Sequence, residues 1–232
     1  MRLVLAAFLF AVGAAQAAPA ETVRLGGKTV LLPALEGFSR ACKESPRFAG
    51  GIAAITPKDS KLLSCWVGSV SWAALLSGKG QSAYPAMFIT HGYGLGSSWS
   101  AADFEQLRAL ARENLGKGIP SSQQAPAEVE RQNTELARRG IPIRSSNLQS
   151  QFGGFFDTSE SSFSYLTKRE YGLTTQGAQQ VARETVAVTT ILQNGNVLTH
   201  TVVEFGVSEK AATRARDLAL QWLREYRSIN TK

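Results

Sequence analysis

Residues 185–230 read TVAVTTILQNGNVLTHTVVEFGVSEKAATRARDLALQWLREYRSIN, and this stretch decides the fold. Asn194-Gly195 lies between two runs rich in β-branched residues. It suits a type I′ turn, whose two central positions need positive φ. Counting outwards from that turn sets Leu192 opposite Val197, Ile191 opposite Leu198, Val188 opposite Thr201, Ala187 opposite Val202 and Val186 opposite Val203. Both faces of the ribbon carry apolar pairs, so it belongs in the middle of a sheet covered on each side. Gly206 ends the second strand, and Ser208 is a suitable N-cap for the helix that follows. Ala211, Ala215, Leu218, Ala219, Trp222 and Tyr226 recur at three- and four-residue spacing and form the stripe that must lie on the sheet. Arg214, Arg216, Arg224 and Arg227 fall off that stripe, and the last two also suit the negative end of the helix dipole.

At the other end of the chain, Met1-Arg2, the apolar run Leu3–Val12 and Ala15-Gln16-Ala17 have the three parts of a secretory signal peptide. The run is short for a membrane span, and no Cys follows the cleavage position to carry a lipid. The expected product is a periplasmic or secreted protein. Cleavage after Ala17 leaves residues 18–232 as a single domain, and loss of Arg2 lowers the formal charge from +7 by one. The basic residues are scattered without a run of five, as on a solvated surface, and an exported chain is not expected to meet nucleic acid. An anionic ligand or an acidic envelope protein is the partner class that such a charge would favour. Cys42 and Cys65 are the only cysteines, and in an oxidising compartment they are expected to form one disulfide. Two cysteines and two distant histidines do not make a metal site, and no cofactor is expected.

Between the two ends, Thr22–Leu32 alternates around Gly26-Gly27 and predicts a short strand or tight hairpin closing at Pro33. Leu35–Pro46 is expected to be irregular. Phe48–Ile55 and Leu62–Val67, separated by Thr56-Pro57-Lys58-Asp59, read as paired strands with Cys65 in the second. The apolar stretch through Trp72–Leu76 reads as a buried segment. Tyr84–Tyr93 is a strand running into a glycine loop, and Ser100-Ala101-Ala102-Asp103 has capping-box spacing ahead of a helix with Phe104, Leu107, Ala111 and Leu115 on one face. Gly116 and Gly118 stop that helix, and Pro120–Pro126 is a polar connection. Pro126 and Gly140 bracket a further helix, Ala127–Arg139, with Val129, Leu136 and Ala137 as a thin apolar face, Glu135 placed to pair with Arg139, and most of its surface exposed. Ser150–Phe156 and Ser161–Lys168 form an aromatic hairpin carrying Phe152, Phe155 or Phe156, Phe163 and Tyr165. The sequence therefore predicts an α+β fold with a largely antiparallel sheet flanked by helices.

Gly27-Lys28-Thr29-Val30 closing at Leu32-Pro33, Leu62–Val67, Ser100–Phe104, and Gln193–Asn196 leading to Trp222 and Asn230 together resemble exported bacterial proteins with a PsbP/Mog1-like α/β/α sandwich. Members of that fold are better known as accessory or binding subunits than as enzymes. The resemblance implies an envelope-accessory or protein-binding role and carries over no catalytic residue, because the matching positions are turns, caps and core residues.

His91 and His200 are the only imidazoles, and no G-x-S-x-G, S-x-x-K or H-E-x-x-H accompanies them. Asp103 is committed to a cap, which leaves no carboxylate pair with Asp157 or Glu160. An envelope hydrolase is the alternative from another class. The candidate contact surface is the glycine loop with Tyr93, Gly94, Leu95, Gly96 and Trp99, where a helix N-terminus and adaptable backbone meet aromatic rings. Its spacing matches neither a dinucleotide nor a P-loop fingerprint. The structural reading of the same rings is that they fold back onto the core.

Overall fold

A computed structural model describes residues 20–77, 86–93, 98–116, 126–175 and 177–230. The expected signal peptide, Gly94–Gly96 of the glycine loop and nearly all of the Pro120–Pro126 connection lie outside them. Among the described residues, nine strands and six helices follow one another as β1 (Glu21–Leu25), β2 (Lys28–Leu32), β3 (Phe38–Ser39), α1 (Ala41–Glu44), α2 (Pro46–Ile55), β4 (Ser60–Gly68), α3 (Ser69–Leu76), β5 (Met87–Tyr93), α4 (Ala101–Gly116), α5 (Pro126–Arg138), β6 (Ile143–Thr158), β7 (Ser162–Thr175), β8 (Ala178–Gln193), β9 (Asn196–Phe205) and α6 (Glu209–Asn230). β1 and β2 make a separate hairpin; the other seven form one antiparallel sheet in the order β3-β4-β5-β9-β8-β7-β6. The fold is α+β.

The β8–β9 hairpin has the register that Asn194-Gly195 predicts, from Leu192 opposite Val197 to Val186 opposite Val203. Asn194 and Gly195 both adopt positive φ, at 54° and 76°. Ser208 caps α6 by accepting from the Ala211 N–H at 3.2 Å. Ala211, Ala215, Ala219, Trp222 and Tyr226 are buried as expected, joined by Ala212 and Leu223. α6 and the β1–β2 hairpin cover one face of the sheet over Trp66, Phe88, Leu198 and Val202. α1, α2 and α3 lie on the opposite face around Cys65, Val67 and Ile89, and α4 sets Phe104 there against Phe163 and Val197. The capping box is closed, with Asp103 accepting from the Ser100 N–H at 2.8 Å and Ser100 Oγ accepting from the Asp103 N–H at 3.1 Å.

Three readings need correction. Phe48–Ile55 is helical, not a strand beside β4: Ser45 Oγ accepts from the Phe48 N–H at 3.2 Å and Pro46 occupies the first turn, so a capped start overrides the apolar run. Leu35–Pro46 is not irregular, because it contains β3 and α1. Trp72–Leu76 belongs to a helix in which only Trp72 is buried; Leu75 and Leu76 face outwards, with Val70 88% exposed. The strands of the aromatic hairpin are also longer than expected, and α5 buries Asn133 and Leu136 while Ala137 is exposed. Asn133 holds β6 by accepting from the Ser145 N–H at 2.9 Å and donating to its carbonyl at 3.0 Å. Glu135 and Arg139 pair at 2.9 Å, as their spacing predicts.

Cys42 and Cys65 form a disulfide that ties α1 to β4, with Cα atoms 5.3 Å apart and a separation of 23 residues. In the chain-entropy account such a loop contributes about 3 kcal/mol. Replacing both cysteines by serine is expected to lower stability by that amount, read from urea unfolding, with a steeper slope because the unfolded chain loses its cross-link; a loss under about 1 kcal/mol would show that α1 is held by packing alone.

Candidate functional site

Residues directly paired across an antiparallel ladder share a face. One such line crosses six strands: Ser64 pairs with Thr90, Thr90 with His200, His200 with Thr189, Thr189 with Ser164, and Ser164 with Asp157. The face is the one beneath α6, and the row runs between apolar rows such as Trp66, Phe88, Val202 and Ala187. Its first five members are almost wholly buried. Thr90 Oγ1 meets His200 Nδ1 at 3.0 Å and Ser164 Oγ meets Thr189 Oγ1 at 2.9 Å. At the far end Asp157 accepts from Ser162 Oγ at 3.1 Å, and Arg227 donates to the same hydroxyl at 2.7 Å. Ser64 Oγ and His200 Nε2 have no hydrogen-bond partner among the described residues.

The two imidazoles differ in setting. The His200 ring lies flat on Trp222 at 3.7 Å and 5°, and Trp222 stacks in turn on Tyr226 at 5.0 Å. Burial pushes the His200 pKa down to about 3, with His91 adding in the same direction. His91 points to the other face, where Nε2 meets Thr56 Oγ1 at 3.1 Å, and burial lowers its pKa to about 4. His200 meets its threonine beneath α6, whereas the Thr56 hydroxyl that meets His91 lines a cleft at the sheet edge, with neither a carboxylate nor a second hydroxyl bonded to that imidazole among the described residues.

Two clefts lie at the edge of the sheet. β3 pairs only with Val67 and Gly68, so β4 has no strand neighbour on that side from Ser60 to Trp66 among the described residues. One cleft of about 670 Å³ is lined by Leu62, Leu63, Ser64 and Cys65 together with Glu21 and Thr22 of β1, Arg40 just before α1 and Lys43 of α1. A second of about 810 Å³ continues along Ser60, Lys61 and Leu62. Successive strand residues point to opposite faces, so clefts lined by six in a row follow the strand's edge. Cys42 lines both, which places the disulfide on the ridge between them. A β-bulge between Leu62 and Ser64 bends this edge. The combined lining holds six cations, Arg40, Lys43, Lys58, Lys61, Arg131 and Arg139, against the carboxylates of Glu21 and Glu135. Arg131 and Arg139 are engaged by Glu128 and Glu135, whereas Lys61 is exposed and forms no ion pair among the described residues.

The aromatic pair expected to mark a contact surface divides. Trp99 is half-buried against the Phe104 cluster, and its main-chain N–H donates to the Gly195 carbonyl at 2.8 Å. Tyr93 ends β5 with 36% exposure, its ring 5.9 Å from Trp99, and pairs with Ser60 at the end of the second cleft. Gly94, Leu95 and Gly96 lie outside the described residues. The cleft itself was not foreseen, because it arises from a missing strand neighbour. No protein-family model, curated protein or solved structure matches this chain.

Proposed function

We propose that this chain is an exported, non-catalytic binding or accessory protein of the bacterial envelope, built on a PsbP/Mog1-like sandwich, with the cleft along β4 as its contact surface. The observation that carries the reading is the long unpaired stretch of β4 lying along two adjoining, disulfide-braced clefts with an excess of cations. An unpaired strand edge is a ready template for another chain. The burial of His200 beneath α6, flat against Trp222, supports the same reading, since a general base must reach a substrate.

A photo-crosslinking residue at Lys61 is expected to give discrete adducts with an envelope protein in living cells, while the same residue at Arg224 on the exposed face of α6 gives none. Equal labelling at both positions would remove the cleft from consideration. Turnover of an ester, peptide or glycoside by the pure protein, abolished by His91→Ala, would replace the reading with an envelope hydrolase.

A further inference from the structure

The first cleft is bordered by two strand edges rather than one. Asn230 accepts from the Leu31 N–H at 3.0 Å and donates to the Leu31 carbonyl at 2.8 Å, so both main-chain groups of Leu31 turn towards α6. Leu31 pairs with Thr22. In an antiparallel pair of this kind the two residues point their main-chain groups away from each other, so Thr22 turns its N–H and C=O to the free edge of β1.

The phase of β4 follows in the same way. Ser69 donates to Gly37 at 2.8 Å and Gly68 donates to Ala86 at 3.0 Å. Gly68 therefore addresses the β5 side, Val67 addresses β3, Trp66 addresses β5, and Cys65 presents its N–H and C=O to the open edge. Thr22 and Cys65 line the same cleft. Each offers one donor and one acceptor, and no backbone partner for either on that side occurs among the described residues. Ser64 lines the same cleft, and its nearly buried hydroxyl is also without a partner among the described residues.

Resting on the binding role proposed above, we infer that this slot takes an extended, acidic segment of a partner protein as an added strand, hydrogen-bonded to the edges of β4 and β1. Extended chains are recognised at sheet edges through main-chain bonds, with alternate side chains reading the flanking surface. The flanking cations decide the chemistry of the guest. Lys58 and Lys61 on one side of the disulfide and Arg40 and Lys43 on the other attract carboxylates at alternate positions of a strand. The same charges disfavour a second copy of this chain, which would bring an equally cationic edge into the slot.

The test is fluorescence anisotropy with a labelled peptide in which Glu alternates with Val, added to the protein with its disulfide intact. Saturable binding is expected. Replacing every Glu by Gln, or N-methylating alternate peptide bonds, should each weaken it by roughly tenfold or more. On the protein, Lys58→Glu with Lys61→Glu should have a similar effect at unchanged Tm. Thr22→Pro removes the outward N–H of β1 at an edge position where proline is tolerated, and should also weaken binding. Equal affinity for the N-methylated and parent peptides would overturn strand addition while leaving an acid-binding cleft and the binding role intact. Dimerisation of the free protein that Thr22→Pro abolishes would overturn it in favour of a second copy. If no peptide binds although Lys61 crosslinks to a partner in cells, strand addition falls and the binding role stands.

Discussion

Trp222→Ala is expected to lower stability by about 4 kcal/mol, against a total on the order of 10, and to lower Tm by roughly 10 °C. Trp222 is 2% exposed and sits at the centre of the α6 contact, its ring between His200 beneath and Tyr226 one turn on. Truncation removes the large apolar area and leaves a cavity over the sheet that the flanking Leu223 and Ala219 are poorly placed to fill, since both are already packed into the same cluster. Trp222→Phe keeps a ring over His200 and should recover more than half of the loss. Urea unfolding of both variants measures it. A loss below about 1 kcal/mol for the alanine variant would mean that α6 is not bedded on the sheet as described.

How much could be read in advance depended on how local the determinant was. Asn194-Gly195 fixes ten facing pairs because a two-residue turn leaves no freedom of register. The Ser208 cap and the Ala211–Tyr226 stripe were legible for the same reason, since each needs only neighbours within a turn or two. Phe48–Ile55 was misread because its apolar residues also suit a strand, and Gly50-Gly51 weakens the helical signal. Ser45-Pro46, a capping residue followed by proline, was the local sign that decides it. The row from Ser64 to Asp157 had no such sign. It exists only once β4, β5, β9, β8, β7 and β6 are side by side, and Ser64, Thr90 and His200 are far apart in the chain. The candidate cleft was less legible still, because β3 is two residues long and nothing in the sequence of β4 announces that its neighbour stops short.

Acidification from about pH 7 to about pH 5 should cost roughly 4 kcal/mol of stability, and the two histidines are the reason. In the fold burial holds His91 near 4 and His200 near 3, against an ordinary value of 6.5 in the unfolded chain. The sign follows from the proton count. Below 6.5 the unfolded chain takes up a proton at each imidazole while the folded protein takes up none, so stability falls with pH, with a slope approaching two protons. The slope drops to one as pH passes through His91's folded value and to zero below that of His200. Glu21 and Glu204, raised by burial, act in the opposite sense: the fold holds their protons to higher pH than the unfolded chain, which offsets a part of the loss. Asp103 and Glu128, lowered by their hydrogen bonds, add to the loss only below their ordinary values of 3.8 and 4.5. Urea midpoints at closely spaced pH values measure the slope, and His200→Gln should remove one proton from it. A flat profile between 6.5 and 5 would mean that both imidazoles reach water in the folded protein. Trp222→Ala joins the two predictions, because opening the lid over His200 lets its pKa rise towards the ordinary value and shortens the pH window over which that residue contributes.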